Sequence, residues 1–364
     1  MDSLYRKYAE LLVRYCLAAK AGDKVYVRSS YLAEPLLSEI YRELTIAGAR
    51  YESKIAIRDE ERIFADHASD ALINDISPIE RAVYESYDCI LTVRAPFNCK
   101  SMQSVSPDMK KKLGQARGEL HDIFSARSAS GSLRWTLCEF PTDAAAQECG
   151  MSLSEYESFV YGACHLFDDE PVASWLAVRE SQQRAVARLD RASRIRFHNR
   201  DTDISFSVQG RRWINSDGRR NMPSGEVFTA PVEDSVNGHI RFSYPGIYMG
   251  EEIEDIRLDV KDGLVVKWEA SRGQEFLDRI MTIDGARRFG EAAVGTNSGI
   301  THFTKNMLFD EKMGGTVHMA LGSTYAETGG TNQSPIHWDL LADMHEGEIF
   351  ADGELIYRGG RFVL

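Results

Sequence analysis

The sequence predicts an α/β chain in two parts. The first is an N-terminal α/β domain on a parallel sheet (residues 1–190), and the second is a β-rich α+β C-terminal domain (residues 191–364). Three observations predict this. Before residue 190, short β-branched runs alternate with helical patterns, the rhythm of a parallel sheet with covering helices. After it, apolar and polar residues alternate singly, and Asp-Gly turns recur at Asp217-Gly218, Asp262-Gly263, Asp284-Gly285 and Asp352-Gly353. The length, 364 residues, also exceeds what one hydrophobic core usually holds.

Val25-Tyr26-Val27 opens the first strand. A helix follows, with Leu37, Ile40, Tyr41 and Leu44 at helical spacing, Pro35 in its first turn and Gly48 at its stop. Residues 51–57 and 89–93 read as further strands. Parallel sheets often hold nucleotides at a Gly-rich first turn. Here the loop after Val27 is Arg28-Ser29-Ser30-Tyr31, with no G-x-G-x-x-G and no Walker lysine, so no nucleotide cofactor is expected. Ser152-Leu153-Ser154-Glu155 has the form of a capping box, opening a helix that buries Tyr156, Val160 and Ala163. Pro171 opens a longer helix through Trp175, Val178, Ala185 and Leu189, and Ile204, Phe206 and Val208 then mark the change to alternating strands.

Composition narrows the function. With 55 acidic and 43 basic residues the net charge is −12, the wrong sign for neutralising a nucleic-acid or anionic membrane surface. No apolar run reaches the roughly 18 to 20 residues a bilayer requires, and Met1-Asp2-Ser3-Leu4-Tyr5-Arg6-Lys7 lacks the order of a signal peptide, so a cytoplasmic protein is expected. The six cysteines lie in the first half without a C-x-x-C, which reads as reduced, mostly buried thiols. The basic run Lys110-Lys111-Lys112 reads as a solvated helix face.

The chemistry collects in the second half. His318 lies in Gly314-Gly315-Thr316-Val317-His318-Met319-Ala320-Leu321-Gly322, and His337 in Ile336-His337-Trp338-Asp339. In a strand, His337 and Asp339 project from one face, and imidazole with carboxylate suits zinc, cobalt, manganese or iron. Glu226 and Glu291 each sit among apolar and turn residues. A buried carboxylate there requires a metal or a cation such as Arg219, Arg220 or Arg288.

These stretches resemble the thermophilic-type metallo-aminopeptidases, the family of aminopeptidases T, S and II. The resemblance runs through Trp213-Ile214-Asn215-Ser216-Asp217-Gly218-Arg219-Arg220-Asn221-Met222-Pro223-Ser224-Gly225-Glu226, then Val232-Glu233-Asp234-Ser235-Val236-Asn237-Gly238, then the His318 and His337 segments. It extends more faintly to Ala21-Gly22-Asp23-Lys24-Val25 and Phe140-Pro141-Thr142. The resemblance implies a homodimeric exopeptidase acting on peptides with a free N-terminus. It implies two divalent ions (Zn, Co or Mn) held by Glu226, Glu291, His318, His337 and Asp339, with Glu291 bridging as a catalytic ligand and Tyr325 as the active-site tyrosine. Two divalent ions, three carboxylates and one hydroxide sum to zero charge, which favours two ions over one in a partly buried site. Tyr325 is expected to donate to the oxyanion or ligate a metal, and Glu233, Asp234 and Glu311 are candidates for general base or for binding the α-ammonium. The chain is shorter than many such enzymes and the Glu291–His318 interval is slightly tightened, so substrate preference does not carry over.

Two rivals remain at this stage. A mononuclear iron ring-cleaving oxygenase, related to the dihydroxypyridine dioxygenases, could use His318, His337 and Asp339, leaving Glu226 and Glu291 as surplus carboxylates. A binding protein with a purely structural metal would more often be sulfur-rich.

Overall fold

In the computed structural model, which describes residues 2–363, the expected parallel sheet forms from β1 (Lys24–Ser30), β2 (Arg50–Ala56), β3 (Cys89–Arg94) and β4 (Arg134–Glu139). The order is β2-β1-β3-β4, every pairing parallel. β3 is apolar almost throughout, as a strand covered on both faces must be. β4 escapes the sequence pattern because Arg134, Thr136 and Glu139 break its apolar run, although Thr136, Cys138 and Glu139 are buried. A two-residue strand, Asn221–Met222, pairs in parallel with Leu137 and Cys138 to finish this sheet.

The helices follow their local signals. α1 (Glu34–Ile46) carries Pro35 in its first turn, and Gly48 beyond its end adopts a φ of 72° that only glycine takes without strain. α2 (Leu153–Ala163) opens with the expected capping box: Ser152 Oγ accepts from Glu155 N at 3.3 Å, and Glu155 Oε2 accepts from Ser152 N at 2.8 Å. Tyr156, Val160 and Ala163 are fully buried.

The chain divides into a unit of Met1–Val172 with Gly218–Met222 and a unit of Ala173–Asp217 with Pro223–Leu364. The sequence boundary near 190 leaves α3 (Pro171–Leu189) on the N-terminal side, whereas its packing assigns nearly all of it to the second unit. Val186 and Leu189 enter the second unit's core, and Gln182 donates to Asn215, Ser216 and Glu226 of that unit.

The second unit holds two large antiparallel sheets and a two-stranded ribbon of Gly246–Tyr248 with Glu251–Ile253. One has eight strands, in the order Leu264–Glu269, Ile256–Lys261, Asn237–Phe242, Thr202–Ser207, Arg194–Asn199, Glu348–Ala351, Glu354–Arg358 and Arg361–Phe362. The other has five, β5 (Ile214–Ser216), β6 (Glu226–Thr229), β7 (Phe289–Gly295), β8 (Thr316–Gly322) and β9 (His337–Asp343), in the order β9-β8-β7-β6-β5. Phe197, Phe206 and Phe242 from the first join Val227, Val294, Met319 and Trp338 from the second in one core, each such side chain contributing about 1.5–3 kcal/mol.

Two of the four Asp-Gly pairs, Asp262-Gly263 and Asp352-Gly353, make the expected hairpins with both residues at positive φ. At Asp217-Gly218 and Asp284-Gly285 only the glycine is left-handed, and the chain turns there without pairing its flanks. Five cysteines are buried, Cys99 is exposed, and all six are free thiols. Among the described residues no helix is long and apolar enough to cross a membrane.

Candidate metal centre

Register places the candidate ligands on one face of the five-stranded sheet. Glu226 stands opposite Gly295, His318 opposite Ala293, Ala320 between Glu291 and Asp339, and His337 opposite Gly322. Alternation sends Val227, Ala292, Val294, Val317, Met319, Leu321, Trp338 and Leu340 to the other face, into the core. Gly295, Ala293, Ala320 and Gly322, each facing one or more of the large polar side chains, leave room for five ligand-type groups on four neighbouring strands, β6 to β9. Gly322 is required as well as roomy: at φ 103°, a Cβ there would lie 2.2 Å from the Ile336 carbonyl oxygen.

The side chains converge. Glu291 Oε1 is 3.3 Å from His318 Nε2, and its other oxygen, Oε2, is 3.3 Å from His337 Nε2. Glu226 Oε2 lies 3.6 Å from His318 Nε2, and Asp339 Oδ1 lies 3.4 Å from His337 Nε2. Two groups result, each with its ligand atoms within 4.8 Å of one another: a buried inner group of Glu226, Glu291 and His318, and a more open outer group of Glu291, His337 and Asp339. Glu291 belongs to both.

The electrostatics of this cluster suit a cation. Burial raises the pKa of Glu226. Burial would lower both imidazoles, but Glu291 and Glu226 hold His318 up at about 9, and Asp339 and Glu291 hold His337 up at about 12. Burial opposes ionisation of Asp339 too, yet the charges of His337, His318 and Lys312 bring it down to about 2. Among the described residues, Glu226 Oε2, Asp339 Oδ1 and His318 Nδ1 are buried without a hydrogen bond. Unsatisfied buried carboxylate oxygens cost about 1–3 kcal/mol each or more, and a divalent ion among these oxygens and imidazole nitrogens relieves that cost. His337 is already aimed: its Nδ1–H donates to the Ser323 carbonyl at 2.7 Å, turning Nε2 toward Glu291 and Asp339. The donor set therefore fits divalent ions.

Three supporting residues escape sequence reasoning. Gln182 of α3, almost fully buried, donates to the carbonyls of Ser216 and Glu226 at 3.1 and 3.2 Å and accepts from Thr296 Oγ1 at 2.8 Å, fixing β6 from behind. Lys312 is wholly buried, bonded to the Glu311 carboxylate and 3.6 Å from Glu226 Oε1. The cation beside Glu226 is thus this lysine, while Arg288, one of the anticipated arginines, donates instead to the Glu233 carbonyl. Asp310 anchors the turn that precedes them, accepting from Thr304 N and Thr304 Oγ1 at 2.7 Å each. Only the apolar surroundings of Lys312, Phe309 and Met313 among them, hint at its burial in the sequence.

The remaining candidates separate. Tyr325 follows β8, half exposed, its ring centroid 5.0 Å from that of His337. Desolvation, then the charges of Glu291, Asp339, Glu311 and Glu226, raises its pKa, so it remains a proton donor at neutral pH. Glu311 sits where burial and the charges of Glu226 and Asp339 raise its pKa against the pull of Lys312. Glu233 instead pairs with Arg211 and accepts from Thr331 N and Oγ1 at 2.6 and 2.9 Å, a structural tether. Asp234 is exposed and enters neither ligand group.

Known proteins resemble this chain over nearly its whole length. A family model described as thermophilic metalloprotease (M29) matches residues 1–362. Aminopeptidase 2 of Geobacillus stearothermophilus is 28% identical, with 98% of this chain and 97% of that protein covered, and aminopeptidase PepS of Streptococcus thermophilus is 26% identical over the same shares. The solved structure of wild-type AmpT from Thermus thermophilus shares the fold, with a TM-score of 0.85, 24% identity and 99% of both chains covered. The ring-cleaving oxygenase gives way before these findings: the match to metalloproteases spans nearly the whole chain, and Glu226 and Glu291 stand in the same cluster as His318, His337 and Asp339.

Proposed function

The chain belongs to the thermophilic metalloprotease family (M29), and from that premise we propose that it is a two-ion aminopeptidase, releasing N-terminal residues from peptides. Glu226, Glu291 and His318 would hold one ion, and Glu291, His337 and Asp339 the other. The single observation that carries this partition is the Glu291 carboxylate, whose two oxygens each lie 3.3 Å from a different histidine. Zn, Co and Mn all accept this mixture of imidazole and carboxylate. Divalent ions held by these residues would supply a water of lowered pKa and a Lewis acid for the scissile carbonyl.

The protein's own groups complete the reaction. Glu311 takes the proton of the attacking water and returns it to the departing amine, which its position beside Glu226 and its raised pKa favour. Tyr325, protonated and adjacent to His337, donates to the oxyanion of the tetrahedral intermediate. Recognition of a free α-ammonium is in keeping with the names of the relatives as aminopeptidases.

The test pairs ion counting with a substrate panel. Chelator-free protein should carry close to two divalent ions per chain and release amine from aminoacyl reporter amides. Activity should vanish on metal depletion and return with Co, Zn or Mn. N-acetylated versions of the same substrates should be inert. Equal hydrolysis of blocked and free substrates, or no hydrolysis with two ions bound, would overturn the reading.

A further inference from the structure

A wholly buried lysine is rare unless it is paired. Lys312 is paired twice, with its Nζ bonded to the Glu311 carboxylate and 3.6 Å from Glu226 Oε1. The other oxygen of Glu226, Oε2, faces His318 Nε2 at 3.6 Å. One carboxylate thus stands between a fixed ammonium and the place where the inner ligand group would hold an ion. No lysine or arginine lies within ion-pair distance of the outer group among the described residues: Glu291 and Asp339 pair there with histidines, and the charge of Lys312 reaches Asp339 only from farther away than it reaches Glu226.

A neighbouring positive charge draws on the same ligand electrons and repels a divalent ion directly. The penalty is largest where water is excluded, because screening fails there. Glu226 therefore has less charge to offer an inner ion than Asp339 has to offer an outer one. Glu311 offsets part of the ammonium but is itself no member of either ligand group.

We propose that Lys312 is a built-in cation of the inner group, so that the protein loads its outer ion tightly and its inner ion about tenfold more weakly. The proposal rests on the two-ion reading above and adds an order of loading to it. It also assigns Lys312 the role of a positioning residue, acting through Glu226 and Glu311 and touching no substrate.

The test needs no turnover. Co²⁺ is titrated into chelator-stripped full-length protein, followed by calorimetry and by the visible absorption of bound Co²⁺, which reports the coordination of each ion as it enters. The wild-type protein should bind one ion tightly and a second about tenfold more weakly. Lys312→Met should bring the two affinities within about threefold, and Lys312→Arg should keep them apart. Glu311→Gln should weaken the second ion further, because the ammonium then leans on Glu226 alone. That variant and the wild-type isotherm decide the matter even where Lys312→Met fails to fold.

Two equal sites in the wild type would overturn the proposal while leaving the two-ion reading intact, as would a gap unchanged in a Lys312→Met protein that melts at the wild-type temperature. Binding of no ion, or of one only, would overturn both.

Discussion

The inner and outer ligand groups share a carboxylate and a strand face, yet they differ in almost everything else. The inner group is buried, bolted from behind by Gln182 and flanked by Lys312. The outer group opens toward solvent, with His337 and Asp339 at intermediate exposure and the half-exposed Tyr325 beside them. The contrast teaches a division of labour. Buried, tethered surroundings fix geometry on the inner side, and the more accessible outer side is the one from which a substrate would approach.

The largest effect should come from erasing the shared element. Glu291→Gln removes the one side chain common to both groups. kcat/KM should fall by at least about a thousandfold, with both ions weakened together, since the ions supply most of the transition-state stabilisation. Loss of only one ion on direct counting would separate the groups and deny Glu291 its bridging role. Next in size, Tyr325→Phe deletes a hydroxyl on the outer side alone. It should lower kcat by about 10²-fold, as loss of one oxyanion donor does, with ion content and melting temperature unchanged.

Two smaller effects probe the inner side. Gln182→Ala takes a donor from the Glu226 carbonyl and an acceptor from Thr296 Oγ1, while the Ser216 carbonyl keeps Ser224 Oγ and Gly225 N, at a cost of about 1–3 kcal/mol in denaturant melts. Its activity loss should follow the weakened inner ion and be recovered by excess metal. Asp310 carries the subtlest signal. Burial pushes its pKa from 3.8 up to about 7, so the folded chain keeps a proton that the unfolded chain releases. Its contribution is fully present below pH 3.8 and is lost as pH rises through 7, with a slope no steeper than about 1.4 kcal/mol per pH unit. Metal-free Asp310→Asn protein should lose that slope between pH 4 and 7. An unchanged slope would remove Asp310 as the cause.

What the sequence made legible was whatever depends on near neighbours. β1 and α1 announce themselves through Val25, Val27, Pro35 and Gly48, and the capping box of α2 lies within four residues. His337 and Asp339 share a face because strand alternation alone demands it. Lys312 and Gln182 were illegible for the opposite reason. Apolar neighbours such as Phe309 and Met313 are a weak signal for a buried lysine, with Asp310 and Glu311 between them, and the partners of Gln182, at Asn215, Ser216, Glu226 and Thr296, lie 33 or more residues away. The same blindness splits the Asp-Gly pairs: the dipeptide permits a tight turn, but only Asp262-Gly263 and Asp352-Gly353 have strands in register on both sides.

The strand Asn221–Met222 carries a consequence for synthesis. The other four strands of its sheet end at Glu139, yet the edge beside Leu137 and Cys138 waits for residues that emerge from the ribosome some eighty positions later. Until then β4 is an open edge, a template for pairing with any other extended chain. The residues that close it are followed almost at once by Pro223-Ser224-Gly225-Glu226, the start of the first ligand strand. A gene cut at residue 172 would therefore release a sheet lacking its last strand, and a nascent chain passes that exposed stage every time the protein is made.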